Sequence, residues 1–265
     1  AGDSARAMSP TGGFGMNTGI GDAVDLSWKM TAVMNGWGGE KLLDSYSAER
    51  RPVGERNVNE ASGNLSRMLS LGDNSALQDD TPEGAATRDR VGKEISDAML
   101  REWNTLGIHL GYQYEGSDIL WPDGTPAPPD EVMTYTQTAR PGGRAPHVRL
   151  RDGRSTLDLF GRGFTLLRLG PDAPDTALME TAAEKIGLPL DVAALDEPDI
   201  LAAYERKLIL VRRDGHVAWR DDELPGGSRP VAWGCRGGLG LSHQAPARGI
   251  NHGECDRENR GNRNA

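Results

Sequence analysis

The sequence predicts an α/β protein with two domains and an irregular tail. Three features predict it: a glycine-rich opening that runs into helical patterns, strands and helices that alternate from about residue 136, and an end without periodicity. The predicted boundaries are residues 1–135, 136–225 and 226–265. Within the second domain the order of elements, βα-β-α-ββ, is typical of a small α/β sandwich.

The first domain is predicted to be mainly helical. The segment 2–19 is rich in glycine and predicts a loop, and a helix follows it with Asn17 or Thr18 as its N-cap and Asn35-Gly36 at its end. The apolar stripe predicted for this helix is Ile20, Val24, Ser27, Trp28 and Thr31. The remaining predicted elements are a helix over 41–68 kinked at Pro52, an exposed loop over 73–88, a helix over 91–106, a strand over 109–120 and a proline-rich loop over 122–129.

The second domain is predicted from short apolar runs separated by turn signals. The elements are a strand over 148–150, a turn over 151–154, a strand over 163–169, a helix over 176–186, a segment over 188–192, a helix over 199–204 and a hairpin over 207–219. The Asp214-Gly215 pair predicts the hairpin turn. The tail over 226–265 has two interpretations that stay open, a disordered segment or a shifted reading frame.

Composition narrows the functional classes. A formal net charge of -9 argues against nucleic acid as the default partner, because phosphate binding favours a basic surface. No apolar run approaches the roughly 20 residues of a membrane span, and no signal peptide opens the chain, so a cytoplasmic location without membrane contact is expected. The two cysteines, Cys235 and Cys255, have no CxxC or zinc spacing.

The N-terminal segment carries the most informative chemistry. Asp3 precedes a glycine-rich turn, and the turn leads into a helix N-terminus. Free N–H groups and a partial positive charge at a helix start favour an anionic or electron-rich group, and a carboxylate can accept hydrogen bonds from sugar-like hydroxyls. Together they suit a nucleotide cofactor with a polyol chain and an electron-accepting ring.

The same segment resembles the second FAD-binding motif of the class A flavoprotein monooxygenases, which include phenol and para-hydroxybenzoate hydroxylases. The matching residues are Gly2, Asp3, Ser4, Ala5, Pro10, Gly12, Gly13, Gly15, Asn17, Asp22, Ala23, Leu26, Trp28 and Lys29, followed by Leu43, Tyr46, Glu49, Arg50, Arg51 and Pro52. The second domain is similar to the thioredoxin-like C-terminal domain of the larger members. The resemblance implies an α/β fold formed by the C-terminal part of an FAD-binding, glutathione-reductase-like domain and a small redox-inactive thioredoxin-like domain.

The resemblance also implies the ligands. Asp3 would bond the ribityl chain of FAD, Pro10 would lie beside the flavin ring, and the backbone N–H groups of Gly15, Met16 and Asn17 would face its pyrimidine edge. Gly12 and Gly13 would form the turn that lets the ring approach. The implied reaction uses NAD(P)H and O2 to hydroxylate a small aromatic substrate, and the second domain would contribute packing or homodimer contacts.

Two departures from the family pattern stand out. Arg6 occupies the position where the family usually has His, and it is bulkier and permanently charged. The family's first motif, a GxGxxG that binds the ADP half of FAD, is absent, and the chain begins with Ala1 rather than Met. We therefore expect the chain to be a C-terminal fragment whose own binding of FAD is absent or weaker than about micromolar.

No side chain is assigned as a catalytic acid or base, and no metal site is expected. Trp28 is interpreted as core packing, and Glu49, Arg50 and Arg51 are interpreted as a structural ion-pair cluster. Tyr112 and Tyr114 are interpreted as strand packing, and the scattered histidines as structural or solvated residues; these histidines are His109, His147, His216, His243 and His252.

Two other functions remain open from the sequence. The alternative is a catalytically inactive remnant that serves as a structural or interaction module. A related flavoprotein that oxidises or epoxidises its substrate is a third interpretation. The sequence does not define the aromatic substrate or the choice between NADH and NADPH.

Overall fold

The computed structural model describes residues 1–70 and 72–224. The predicted tail over 226–265, with Cys235, Cys255, His243 and His252, lies outside the described residues. The helices are α1 (Phe14–Met34), α2 (Asp44–Leu69), α3 (Pro82–Trp103), α4 (Leu106–Leu110), α5 (Ala177–Ile186) and α6 (Pro198–Tyr204). The strands are β1 (Phe164–Leu169), β2 (Leu190–Leu195), β3 (Leu208–Val211) and β4 (Val217–Asp221).

The four strands form one mixed sheet in the order β2-β1-β3-β4. β1 pairs with β2 in parallel and with β3 in antiparallel orientation, and β3 and β4 form a hairpin. β3 is apolar along its whole length, and β1 has only Thr165 and Arg168 as polar residues, because both sheet faces are covered; Leu166 and Leu167 enter different cores. The predicted strand over 163–169, helix over 176–186, helix over 199–204 and hairpin with its turn at Gly215 are confirmed.

The helix α1 begins earlier than predicted. Gly13, in the left-handed region at φ 66°, is its N-cap, and Phe14 is its first residue, so the predicted caps Asn17 and Thr18 are wrong. Here the left-handed backbone of glycine begins the helix, and no capping side chain is involved. The predicted end is confirmed, since the Asn35 N–H donates to the Thr31 carbonyl at 3.0 Å and Gly36 has a φ of 79°.

The predicted loop over 73–88 is wrong in its second half. α3 begins at Pro82, and the Thr81 hydroxyl accepts a hydrogen bond from the Gly84 N–H at 3.1 Å. Thr81-Pro82 is a helix-start signal, because proline suits the first helical position and threonine caps it. The polar composition that indicated a loop belongs instead to a solvent-facing helix.

The two other predicted strands are also absent from the described residues. Within 109–120, α4 ends at Leu110 and the rest is irregular, since the Tyr114 N–H reaches the Gly142 carbonyl only as a single contact at 2.9 Å. Within 148–150 one isolated bridge joins Arg149 to Ser155 across the predicted turn. Aromatic and apolar residues in these segments pack against helices and side chains rather than extending the sheet ladder.

The predicted apolar stripe of α1 faces the wrong way. Trp28 is buried as predicted, but Ile20 and Val24 are about half exposed, at 54% and 47%. The buried residues of α1 are Phe14, Thr18, Asp22, Asp25, Trp28, Lys29 and Ala32. The prediction assumed that the charged side of the helix faces solvent. In this helix the charged side chains are buried instead, because partners of opposite charge neutralise them.

The two predicted domains share one core. Trp28 stacks on Trp37 with ring centroids 6.5 Å apart, and both rings meet the edge of Phe164 in β1 at 6.1 and 6.3 Å. Aromatic pairs in these geometries contribute beyond their buried area. The core therefore fixes α1 against the sheet, while the boundary at 135/136 stays a prediction.

Replacing Trp28 by Ala should lower the free energy of unfolding by about 3–5 kcal/mol, because it removes the aromatic ring at the centre of this shared core. The measurement is urea unfolding followed by circular dichroism. The control is Trp103→Ala, since Trp103 is 77% exposed at the end of α3 and should change stability by less than about 0.5 kcal/mol. Equal effects for the two variants would contradict the shared core.

Candidate cofactor site

The opening segment turns sharply into α1. Gly12 and Gly13 both have positive φ, at 77° and 66°, and a Cβ at Gly12 would lie 2.7 Å from the Phe14 ring. Only glycine adopts this conformation readily, and at Gly12 only glycine fits. The predicted glycine turn is therefore present, and its sharpest constraint lies at Gly12.

The turn is held by α2 and α3. The Thr11 hydroxyl donates to the Ala61 carbonyl at 2.6 Å, and the Gly12 N–H donates to Glu102 Oε1 at 2.9 Å. The Asn17 side chain donates to the Gly13 carbonyl at 3.0 Å. These contacts fix the loop before any ligand arrives, which reduces the entropy lost on binding.

The start of α1 is open. No side chain caps its first turn, and a Cβ at Gly13 or at Gly15 would meet no atom within 4 Å. Met16 is 73% exposed beside them. Uncapped N–H groups at a helix start attract an anionic or electron-rich group, and the missing side chains leave room for a flat ring to approach.

The structure brings the predicted residues to one end of α1. Gly12, Gly13, Gly15, Met16 and Asn17 form the turn and the first helical turn, and Pro10 is the N-cap of the short 3-10 turn before them. Asp3 lies exposed in a separate 3-10 turn, Gly2–Ser4, and a Cβ at Gly19 of α1 would lie 3.6 Å from the Gly2 Cα. Their roles toward a cofactor stay predictions.

The turn that carries Asp3 is anchored by a residue to which the sequence assigned no role. Asp22 of α1 accepts hydrogen bonds from the Gly2 N–H at 3.0 Å, from Arg6 Nη2 at 2.5 Å and from Arg50 Nε at 3.0 Å. Burial alone would raise the pKa of Asp22, but these donors outweigh it and lower the pKa. The unusual Arg6 is thus a partner of Asp22, and the position of Asp22 in the quoted motif was the available signal.

A second buried cluster, which we call the Arg212 cluster, consists of Asp25, Lys29, Glu49, Arg212 and Asp214. Lys29 Nζ lies 2.8 Å from Asp25 and 2.7 Å from Glu49. The Arg212 guanidinium lies 2.7 Å from Glu49, 3.1 Å from Asp25 and 2.5 Å from Asp214. None of the five side chains is more than 4% exposed. The cluster joins α1 and α2 to the β3–β4 hairpin.

The predicted cluster of Glu49, Arg50 and Arg51 is corrected by this geometry. Glu49 belongs to the Arg212 cluster, Arg50 pairs with Asp22, and Arg51 is exposed and pairs with Glu55. Neighbours in a helix point in different directions, so three adjacent charges reach three different partners. Ion pairing was predicted; its division into separate networks was not.

Two carboxyl groups of the Arg212 cluster have pKa values that are shifted in opposite directions. Burial alone would raise the pKa of Glu49, but Arg212 and Lys29 outweigh it and lower that pKa to about 2. For Asp25, burial has the larger effect and raises the pKa to about 6. The same two cations lower this pKa, and the negative charges of Glu49 and Asp214 raise it further. When Asp25 is protonated, two cations face two carboxylates and the cluster is neutral.

An aromatic group adjoins the cluster. Tyr114 and His216 lie 4.4 Å apart between ring centroids, and Tyr112 lies 5.5 Å from Tyr114. The Arg50 guanidinium donates to the Tyr114 hydroxyl at 3.1 Å. The tyrosines therefore contribute packing, as predicted, but from an irregular segment instead of a strand, and His216 is a buried structural residue.

Within residues 1–70 and 72–224 no group of three or more His, Cys, Asp or Glu side chains is arranged to hold a metal ion. Among the helices of the same residues, none combines the length and the apolarity that a bilayer crossing requires. Two surface clefts, of about 370 and 450 Å³, are lined by α2 together with residues between 108 and 132, and none of the seven predicted site residues lines them.

Comparison with known proteins finds two domain matches. Residues 1–61 match the model of the FAD binding domain, and residues 138–232 match the model of the aromatic-ring hydroxylase C-terminal domain. The chain thus contains part of an FAD binding domain and an aromatic-ring hydroxylase C-terminal domain, as the sequence resemblance implied, and it corresponds to the C-terminal part of proteins that combine them.

Two of the similar curated proteins are named as monooxygenases. The chain is 38% identical to the FAD-dependent monooxygenase apdD of Emericella nidulans over 84% of this chain and 38% of that protein. It is 37% identical to a 4-methyl-5-nitrocatechol 5-monooxygenase of Burkholderia over 84% of this chain and 40% of that protein. A structure of RebC soaked with chromopyrrolic acid, with bound 7-carboxy-K252c, is 41% identical with a TM-score of 0.79 over 89% of this chain and 45% of that one. The chain spans about two fifths of the length of the curated relatives it matches.

Replacing Arg212 by Met should lower the free energy of unfolding by about 3–5 kcal/mol, because three buried carboxyl groups would lose their guanidinium partner and Lys29 would remain to pair with only two of them. The control is Arg51→Met, whose exposed pair with Glu55 should contribute less than about 1 kcal/mol. Chemical unfolding of both variants at pH 7 measures the difference. A change below about 1 kcal/mol for Arg212→Met would contradict the role given to the cluster.

The pH dependence of stability should report on Asp25. Its raised pKa means that its stabilising contribution is complete below about pH 3.8 and is lost as the pH rises through about 6. Between pH 4.5 and 7 the wild type should therefore lose about 2 kcal/mol of unfolding free energy relative to Asp25→Asn, which does not titrate. Unfolding curves of both proteins at several pH values measure it, and parallel pH profiles would contradict the assignment.

Proposed function

We propose that this chain forms the flavin-proximal part of an FAD-dependent monooxygenase that hydroxylates a phenolic or other aromatic ring with NAD(P)H and O2. The observation that carries the proposal is the open, uncapped start of α1 behind the Gly12-Gly13 turn. The relatives support the substrate class, since one is named for a nitrocatechol substrate. The proposal for the whole protein rests on relatives of which the chain spans about two fifths.

The residues fit an FAD ring and its ribityl chain. Gly13 and Gly15 leave space at the helix start, and the N–H groups of Gly15, Met16 and Asn17 would face the pyrimidine edge of the ring. Asp3 is exposed and would accept bonds from the ribityl hydroxyls, and Pro10 would border the ring. When bound, FAD would supply both the hydride acceptor for NAD(P)H and the reaction with O2.

The contribution of the protein is then positioning and electrostatics. The partial positive charge at the start of α1 would favour extra negative charge on the pyrimidine side of the ring. The bonds of Thr11 and Gly12 to α2 and α3 hold that start in place. No acid or base from this segment is assigned to the reaction, because the bound cofactor would supply the oxygen chemistry.

The second domain is proposed to be thioredoxin-like and redox-inactive. Its parallel β1–β2 pair, with the antiparallel β3–β4 hairpin added at the β1 edge, supports that class of fold. Its strands and helices carry no cysteine between residues 136 and 225. We propose that it stabilises α1 and α2 and contributes to a homodimer in a cytoplasmic enzyme that needs neither nucleic acid nor a membrane.

Flavin binding tests the proposal. The chain by itself should bind FAD and FMN with similar affinities, both weaker than about micromolar, because the proposed contacts reach only the ring and ribityl chain that the two share. Gly15→Val should weaken both by about tenfold or more by filling the space of the ring. Flavin fluorescence titration gives the dissociation constants.

A matched control separates ligand blockage from misfolding. Gly92→Val places the same side chain in α3, where a Cβ also meets no atom within 4 Å, and should leave flavin binding unchanged. Equal binding by wild type and Gly15→Val would overturn the site. No binding at millimolar FMN would favour the structural module instead. NAD(P)H oxidation with a panel of phenols, with product analysis, then distinguishes hydroxylation from simple oxidation.

A further inference from the structure

Glu102 of α3 brings a negative charge to the start of α1. Its Oε1 accepts a hydrogen bond from the Gly12 N–H at 2.9 Å, and Gly12 stands just before Gly13, the N-cap of α1. The contact joins segments that are 90 residues apart in the chain. Among the described residues it is the one hydrogen bond that this carboxylate accepts, so the side chain of Glu102 is committed to the glycine turn.

The charge of Glu102 has no ion-pair partner within the part of the chain that the structure describes. Arg101, its neighbour in α3, is directed to Glu60 of α2, with Nε 3.0 Å and Nη2 3.1 Å from the two carboxylate oxygens. Arg67 pairs with the same Glu60. The negative charge of Glu102 is therefore opposed mainly by the N–H dipoles of the turn and by the partial positive charge at the start of α1.

The place of this charge is fixed by the packing of the turn. A Cβ at Gly12 would lie 2.7 Å from the Phe14 ring and 3.0 Å from Asn64 Nδ2, and Asn64 is only 2% exposed. Side chains of α1, α2 and α3 thus all contact Gly12. The backbone N of Gly15 follows three residues later, which limits its distance from the N of Gly12 to about 10 Å.

An anion in this place opposes a second anion at the same helix start. In the proposed function, the N–H groups of Gly15, Met16 and Asn17 face the pyrimidine edge of the flavin ring, where reduction adds negative charge. Two like charges about 10 Å apart, at an effective dielectric constant of about 20, shift an equilibrium by roughly tenfold. The positive end of α1 would then be shared between Glu102 and the reduced ring.

We propose that Glu102 is a positioning residue with an electrostatic effect: its hydrogen bond holds the Gly12 turn in the form that binds flavin, and its charge disfavours the anionic reduced flavin. This inference rests on the proposed function. Glu102 would lower the reduction potential of the bound cofactor, which makes reduced FAD a stronger electron donor to O2. The two effects are separable, because glutamine keeps an acceptor oxygen at the same place without the charge.

Variants of the full chain separate the hydrogen bond from the charge. Glu102→Gln should leave the Kd of oxidised FMN within about twofold and tighten the binding of reduced FMN about tenfold. That change in ratio equals a rise of about 30 mV for a two-electron couple. Glu102→Ala should change the ratio equally and also weaken oxidised FMN about fivefold, because the bond to Gly12 is lost. Thr11→Val removes a neutral hydrogen bond of the same turn and should weaken both forms equally.

Anaerobic calorimetric titration with oxidised and with dithionite-reduced FMN gives the two dissociation constants, and their ratio gives the shift in potential. The control is Glu83→Gln, because Glu83 is exposed in the first turn of α3, about 28 Å along that helix from Glu102, and should leave the ratio unchanged. Amide exchange of Gly12, measured without flavin, should accelerate in Glu102→Ala and stay slow in Glu102→Gln.

The outcomes separate the two proposals. An unchanged ratio in Glu102→Gln, or an equal change in Glu83→Gln, would overturn the electrostatic effect and leave the proposed function intact. Unchanged exchange of the Gly12 amide in Glu102→Ala would overturn the positioning effect. A wild-type chain that binds neither form of FMN at millimolar concentration would contradict the proposed function, and this inference with it.

Discussion

The arrangement of this protein depends on the burial of one guanidinium group. Arg212 is fully enclosed, and a buried cation must meet carboxylates or the fold loses several kcal/mol. Its partners Glu49 and Asp25 lie 163 and 187 residues away in the chain, on α2 and α1. The hairpin, the two long helices and the aromatic core around Trp28 therefore form together. Because α1 also begins at the glycine turn, the same guanidinium fixes the direction in which the candidate cofactor site faces.

The sheet was predictable because its signals are local. The apolar run of β1, the helix after it and the Asp214-Gly215 turn each determine their structure within a few residues. The helix-start signal at Thr81-Pro82 is equally local, but the polar residues around this pair led to the prediction of a loop. The buried face of α1 was not predictable by periodicity. Asp25 and Lys29 are buried because of Arg212, and no window of sequence around α1 contains that partner.

The candidate site shows the same division. The positive φ at Gly12 and Gly13, and the helix that follows, could be predicted from the glycine spacing because backbone sterics act locally. The contacts that hold the site in place could not be predicted in this way. Asp22 fixes the Asp3 turn through Gly2 and Arg6, and Glu102 fixes Gly12 from α3, which are contacts between distant segments. The motif therefore predicted the candidate site, and the structure shows that the arginine at position 6 pairs with Asp22.

The buried side of α1 combines apolar packing with ion pairs. Trp28 lies in the shared core, and Asp22 and Asp25 pair with cations on other segments of the chain. Ion pairs specify direction, because Asp22 and Asp25 accept only donors at fixed positions, whereas apolar contacts allow sliding. These ion pairs therefore fix the position and rotation of α1, and with them the position of its first turn.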